Sequence, residues 1–266
     1  MRALDSEPDE YLIRHMMMSF ILSYKRRYPG YGETVICCDG GDPWRRDYFP
    51  NYKIRRRLKA KDDAEKEDET TKEVWRVINL IREELKVYMP YKVVHLDHVE
   101  GDDAIAVLAK RYPGPHVIVS NDKDFVQLMK YDGIKVYTPL NNTERKLETT
   151  PELFLKEQLI RGDSIDDVPN ILSDDDIFIT PGVRQKSITS KKLPLYLEQP
   201  LEDNFDKAKI ERNLMMISFD KIPEKWENMI IEEYESQKDK SITRKDIFNY
   251  FLHKRLNKMM DSIEEF

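Results

Sequence analysis

The sequence predicts an α/β fold, a mostly parallel sheet flanked by helices, and three observations carry that reading. Short apolar runs, ETVICCD (33–39), VVHLD (93–97) and HVIVS (116–120), alternate with longer segments of helical periodicity. Each run ends at or just before acids: Asp39; Glu100, Asp102 and Asp103; Asp122 and Asp124. In an open parallel sheet, ligand sites gather beyond the carboxyl ends of the strands, so the acids and the strands point to one architecture. With 40% hydrophobic residues over 266 positions, the chain can bury one large core or two smaller ones.

Residues 9–27 are predicted to form an amphipathic helix with Leu12, Met16, Phe20 and Tyr24 along the side that covers the sheet. Its apolar run MMMSFIL (16–22) is too short to span a bilayer and follows acids, so neither a membrane segment nor a targeting signal is expected. The strand at 33–39 comes next and is expected to be buried. Its adjacent Cys37 and Cys38 point to opposite faces, which predicts no structural disulfide. Five scattered histidines give no zinc spacing, and a reduced cytoplasmic setting is the default.

Residues 44–61, WRRDYFPNYKIRRRLKAK, carry eight basic residues against one acid, Asp47, with Trp44, Tyr48, Phe49 and Tyr52 interleaved. Basic plus aromatic is a nucleic-acid composition, which makes Arg45, Arg46, Tyr52, Arg55 and Arg57 candidate DNA contacts. The alternative is a solvated helix face. The switch to DDAEKEDET (62–70) predicts a mobile, charged connection. A packing helix over 71–88 follows, with Val74, Val77, Ile78, Ile81 and Leu85 at helical spacing and Pro90 as its stop.

EGDD then opens a helix over 104–111, and the strand at 116–120 ends in NDKD. A further strand is expected at 134–139, and a helix begins at Thr150 with Pro151 in its first turn. That helix delivers RGDSIDDVPN, in which Asp163, Asp166 and Asp167 follow Gly162. Residues 171–201 read as loops and short helices that carry Lys186, Lys191 and Lys192. Helices over 204–217, 223–235 and 244–260 complete the chain, the last capped by Thr243. Two parts are expected: 1–150, an α/β metal-site domain with a basic segment at 43–70, and 151–266, a helical DNA-binding region.

Two bare carboxylates about 4 Å apart repel by roughly 4 kcal/mol at an effective dielectric near 20, so a convergent group of acids must protonate or bind cations. Oxygen-only ligands select hard ions, magnesium or manganese. Two such ions about 4 Å apart would activate a water and stabilise the leaving oxygen of a phosphodiester. Helix capping by Asp102 or Asp103 is the bland alternative for a single acid. Recurrence after three strands and again at Asp163 and Asp166 favours the metal site. Asp103 and Asp167 are the expected supporting members. The formal net charge of -6 does not exclude a polyanionic partner, because setting aside these nine acids leaves a positive remainder.

These motifs resemble those of the structure-specific 5′ nucleases, the flap endonuclease family, and within it the branch of T-even bacteriophages. CDGG with the following WRRDYFPNYK, VEGDDA in the place of the acidic E-x-D-D motif, SNDKDF for S-x-D-x-D and RGDSIDDVPN for G-D-x-x-D-N carry the resemblance. It continues through FDKIPE (219–224) to the terminal DSIEEF. It implies a 5′ nuclease, PIN-like fold with a helix-hairpin DNA-binding element, and a magnesium-dependent 5′ to 3′ exonuclease and flap endonuclease that removes RNA primers and adjacent DNA in lagging-strand replication. By resemblance, Asp39, Glu100, Asp102 and Asp122 serve one metal, and Asp124, Asp163 and Asp166 a second, several through waters. Lys53 and Arg56 match catalytic cations of a helical arch, and Lys186, Lys191 and Lys192 are the weaker candidates for phosphate contacts. The implied substrates are DNA and RNA–DNA hybrid with a 5′ flap or end. The implied partners are a single-stranded DNA-binding protein and a sliding clamp, and the chain is expected to be monomeric in the host cytoplasm.

Asp167 stands where the family has asparagine, and no glycine-rich duplex-binding hairpin is legible between 171 and 192. The family also begins with a strand bearing an additional metal-site aspartate, which the residues before position 9 do not supply. That predicts a truncated or split chain, a partner that supplies the strand, or a non-catalytic fragment that binds branched DNA. A small ribonuclease is disfavoured by the large helical carboxyl-terminal half.

Overall fold

The computed structural model describes residues 9–64 and 69–266. Two compact units interleave along the chain: Met1–Cys37, Asp63–Val94 and Glu232–Phe266 form one, Cys38–Asp62 and His95–Ile231 the other. The sequence division at residue 150 falls inside the second unit. Among the described residues no helix is long and apolar enough to cross a membrane.

In the first unit, α1 (Glu10–Arg27) starts at Asp9, whose side chain accepts from the Tyr11 amide at 2.9 Å. The expected apolar side is the outer one: Leu12, Met16 and Phe20 are 51%, 47% and 55% exposed, while Arg14, Met18 and Leu22 are buried. Both sides of this helix are apolar enough to pack. Arg14 decides between them, because its guanidinium meets the buried Glu84 of α4 (Glu69–Tyr88) at 2.7 and 3.1 Å. Glu84 also accepts from the Tyr250 hydroxyl at 2.8 Å and pairs with Lys254 at 2.5 Å. Val77, Ile81 and Leu85 of α4 are buried, as its spacing predicts. The connection expected at 62–70 lies partly outside the described residues. Strands β1 (Val35–Cys38) and β2 (Lys92–His95) form a two-stranded sheet, and β1 is half-buried along its length, not the fully buried strand that its apolar sequence suggests.

The helix expected over 244–260 is broken into α11 (Arg244–His253) and α12 (Asn257–Met260). Arg255 takes a left-handed φ of 58°, and the Leu256 amide reaches back to the Phe251 carbonyl at 2.8 Å, a Schellman-type stop. Leu256 is fully buried, which rewards the break.

In the second unit, β3 (His116–Val119) pairs in parallel with β4 (Ile134–Thr138), with His116 opposite Ile134 and Val119 opposite Tyr137. A two-residue β5 (Thr143–Glu144) runs antiparallel to β4. The described strands thus make two small sheets. The short helix α2 (Arg45–Tyr48) and α3 (Ile54–Ala64) occupy the basic segment. Helix α5 (Gly101–Arg111) begins at Gly101, so Asp102 and Asp103 lie in its first turn and not before it. Helix α6 (Pro151–Arg161) is capped by Thr150, which accepts from the Leu153 amide at 3.2 Å. Residues 162–192 hold turns and no regular helix. After them come α7 (Leu193–Glu198), α8 (Leu201–Asn204), α9 (Lys207–Ile217) and α10 (Glu224–Glu235). The segment 204–217 is not one helix, because Asp206 caps α9 anew by accepting from the Ala208 amide. Leu159 and Ile160 of α6 and Ile210, Met216 and Ile217 of α9 share one core with Phe49 and Tyr52, which anchors the basic segment from below.

Candidate metal centre

Four segments deliver the acids, and two glycines set their approach. The loop after β1 is zipped to the loop after β2: the Gly40 amide donates to the Val99 carbonyl at 2.8 Å, His98 to Gly41 at 2.9 Å, and Trp44 to His98 at 2.9 Å. A Cβ on Gly40 would stand 1.9 Å from the Leu96 carbonyl oxygen, so no other residue fits. This brings Asp39 to the N-terminus of α5, where it accepts from the Gly101 amide at 2.7 Å. On the other side, Gly162 ends α6 with a φ of 67°, and a Cβ there would meet the Val168 carbonyl oxygen at 2.3 Å. A reciprocal backbone pair between Asp163 and Val168 closes the turn, and the Asp163 carboxylate accepts from the Ile165 amide at 2.7 Å. Between them, Asp122 accepts from the Asp124 amide at 2.8 Å, and Asp124 accepts from the Gln158 side chain of α6.

The seven proposed ligands lie in one another's field. Burial, then the like charges of Asp122, Asp39 and Glu100, pushes the Asp102 carboxyl up to about 7. Burial and Asp122 push Asp124 up to about 7, with Asp163 adding to the effect. Asp166 is raised by burial, against the pull of Lys53. Burial also raises Glu100, but Arg45 and Lys53 outweigh it and hold that carboxyl below its usual range. A cluster that crowds carboxylates until some resist ionisation is a donor set for a hard divalent cation, and in that sense the residues fit such an ion. Among the described residues, however, no three His, Cys, Asp or Glu side chains are drawn together into a ready coordination group.

Cations of the basic segment stand beside these acids. Lys53, at the start of α3 with a left-handed φ of 52°, places its ammonium on Glu100 and 3.6 Å from Asp166. It lies among the acids. The Arg56 guanidinium lies 3.3 Å from Asp166. Two expected DNA contacts, Arg45 and Tyr52, are buried instead, and a third, Arg55, is half exposed but paired within the chain. Arg45 is buried, bidentate on the fully buried Asp103 at 2.7 and 2.8 Å, and also donates to Glu100 and the Met216 carbonyl. Tyr52 is buried, its hydroxyl 3.0 Å from Glu100 and 3.2 Å from Asp166, and with one proton it can donate to only one of them at a time. Arg55 pairs with Asp167, bonds the Ser164 carbonyl and stacks on Phe178 at 4.6 Å. Asp167 also accepts from the Arg55 amide at 2.8 Å, which gives a charged residue a reason to stand at that turn. Arg46 pairs with Asp42 at 2.6 Å, and Arg57 donates to the Pro50 carbonyl at 2.6 Å. Lys186, Lys191 and Lys192 are exposed.

Sequence reasoning missed Trp44, whose indole N–H donates to Asp103 at 2.8 Å, and Gln158. For Gln158 one signal was available: it lies one helical turn before Gly162.

Acids gathered after strand ends, with cations beside them, are the groups that a metal-dependent phosphodiesterase uses. Residues 10–158 match the family described as 5′-3′ exonuclease, N-terminal resolvase-like domain, and residues 149–266 match the one described as T4 RNase H, C terminal. The chain belongs to the structure-specific 5′ nuclease family. More particularly, it is 30% identical to ribonuclease H of Enterobacteria phage T4 over 273 residues, covering 96% of this chain and 87% of that protein. Among solved structures, T5 D15 protein co-crystallized with metal ions aligns with a TM-score of 0.63 at 18% identity, over 84% of this chain and 91% of that one. The T5 D15 flap endonuclease in a complex with DNA and metal ions aligns at 0.61, also 18% identical, over 87% and 93%. At that identity the two structures bear out the fold.

Proposed function

We propose that the chain is a divalent-metal-dependent 5′ to 3′ exonuclease and flap endonuclease that uses magnesium, with manganese as a substitute. The carrying observation is the electrostatic coupling of Asp39, Glu100, Asp102, Asp122, Asp124, Asp163 and Asp166 from four segments. Asp39, Glu100, Asp102 and Asp122 are assigned to one ion, and Asp124, Asp163 and Asp166 to the other. When bound, the ions supply an activated water and charge stabilisation at the leaving oxygen. The protein's own part is positional. Arg45 and Tyr52 orient Glu100, the turn at Gly162 presents Asp163 and Asp166, and Lys53 and Arg56 offer cations to the phosphate under attack. The exposed Lys186, Lys191 and Lys192, with Arg46 and Arg57, are assigned to the duplex backbone, and 151–266 to the DNA-binding part.

The substrate reading is DNA or RNA–DNA hybrid with a 5′ flap or end, and the biological role is removal of RNA primers and adjacent DNA in phage-type lagging-strand replication. It is supported by the similarity to the phage T4 ribonuclease H and by the DNA-bound flap endonuclease neighbour. The resemblance alone supports a single-stranded DNA-binding protein and sliding clamp as partners and action as a monomer in the host cytoplasm. A 5′-flap substrate incubated with magnesium tests the reading. The chain is expected to cut it, chelation to stop the reaction, and Asp122→Asn to lose cleavage while still binding the flap. Equal inactivity of both proteins with equal flap binding would sink the enzyme reading and leave a DNA-binding role.

A further inference from the structure

Among the described residues three glutamines are buried, and two of them are satisfied at both ends. Gln127 donates to the Ile217 carbonyl at 3.0 Å and accepts from the Phe219 amide at 3.2 Å. Gln237 donates to the Val93 carbonyl and accepts from the Val93 amide, each at 3.0 Å. These are structural clamps. Gln158 differs: it is 7% exposed, its Nε2 donates to Asp124 Oδ1, and its Oε1 is buried without any hydrogen-bond partner. A buried acceptor left unpaired costs stability, so such a group calls for an explanation.

Its place on α6 supplies one. The Gly162 amide bonds the Gln158 carbonyl at 2.7 Å, and the chain turns there directly into Asp163. One side chain thus ties Asp124 to the helix whose end presents Asp163 and Asp166. The unpartnered oxygen belongs to the same amide group as the nitrogen on Asp124, at the edge of the acidic cluster. We propose that Gln158 is a positioning residue of this centre, whose Nε2 fixes the Asp124 carboxylate while Oε1 accepts a hydrogen bond from a water carried by the divalent cation. The inference rests on the metal-dependent reading above. Partners that hold a ligating carboxylate are commonly worth about tenfold to a hundredfold in metal affinity or activity.

The experiment uses the full chain without DNA. Mn2+ is titrated calorimetrically into wild type and Gln158→Met, a near-isosteric change that removes both polar ends. Thermal melts in EDTA and flap binding in EDTA accompany it. Expected are Mn2+ binding weakened about tenfold or more, unchanged flap affinity, and a Tm close to wild type, because losing the unpaired oxygen offsets losing the donor to Asp124. Wild-type Mn2+ affinity in Gln158→Met overturns the inference alone. Failure of the unaltered chain to bind Mn2+ overturns the metal reading and this inference with it. If Gln158→Met does not fold, Gln158→Glu takes its place: it sets a second carboxylate against Asp124, so Mn2+ should raise its Tm by more than it raises that of wild type. An equal increment overturns the inference.

Discussion

Lys53 shows how far a residue's role depends on its neighbours. Its ammonium, held up by Glu100 and Asp166 against the cost of burial, stays charged among acids that repel one another. Its truncation removes a cation from the place proposed for the scissile phosphate. Lys53→Ala is therefore expected to slow flap cleavage by about a hundredfold, with little change in Tm, since Arg45 and Tyr52 still hold Glu100. Single-turnover assays and thermal melts check both halves, and unchanged turnover would reduce Lys53 to a counter-ion. The acids themselves were legible, because strand-end position and residue type coincide at Asp39, Asp122 and Asp124. The commitments of Arg45, Tyr52 and Arg55 were not. Arg45 meets an acid 58 residues away and Arg55 one 112 residues away. Composition registers a basic, aromatic stretch without telling which of its charges turn inward.

Among elements, α1 and the carboxyl-terminal helices mark the limits of periodicity. Leu12, Met16 and Phe20 repeat every four residues, and so do Arg14, Met18 and Leu22. A hydrophobic count prefers the first set, yet Glu84 selects the second by demanding a buried partner at Arg14. In the same way, the uninterrupted pattern over 244–260 hid a stop that depends on burying Leu256. Leu256→Ala is expected to cost about 3 kcal/mol in urea unfolding. A loss below about 1 kcal/mol would mean that the break owes nothing to that burial. Caps were easier to read: Thr150 and Thr243 open α6 and α11 where their sequences place them, because capping is a local bond between a side chain and its own first turn.

At the scale of the molecule, the fold class follows from the alternation of apolar strands and helices. The interleaving of two units does not, since nothing local records which distant segments pack together. Charge plays a different part in each unit. The first holds a neutralised ion network around Glu84. There burial raises the carboxyl, but Arg14, Lys254 and Tyr250 together hold it below its ordinary 4.5. A depressed carboxylate stabilises the fold above its unfolded pKa and loses that contribution as pH falls through its folded value. The Tm advantage of wild type over Glu84→Gln should therefore be steady from about pH 7 to 5 and close in stronger acid. A gap that widened on acidification would contradict the network. The second unit holds the crowded carboxylates, where acid relieves repulsion.

The contact of Gly40 with the Leu96 carbonyl has a meaning in genetics as well. Every missense codon reachable from a glycine codon adds a side chain, and at this position even a methyl group has nowhere to go. A mutational screen of the chain should recover Gly40 only as silent changes among its survivors, while Gly41 one codon away, with open space around it, should tolerate replacement. The pair gives any such library its own internal control.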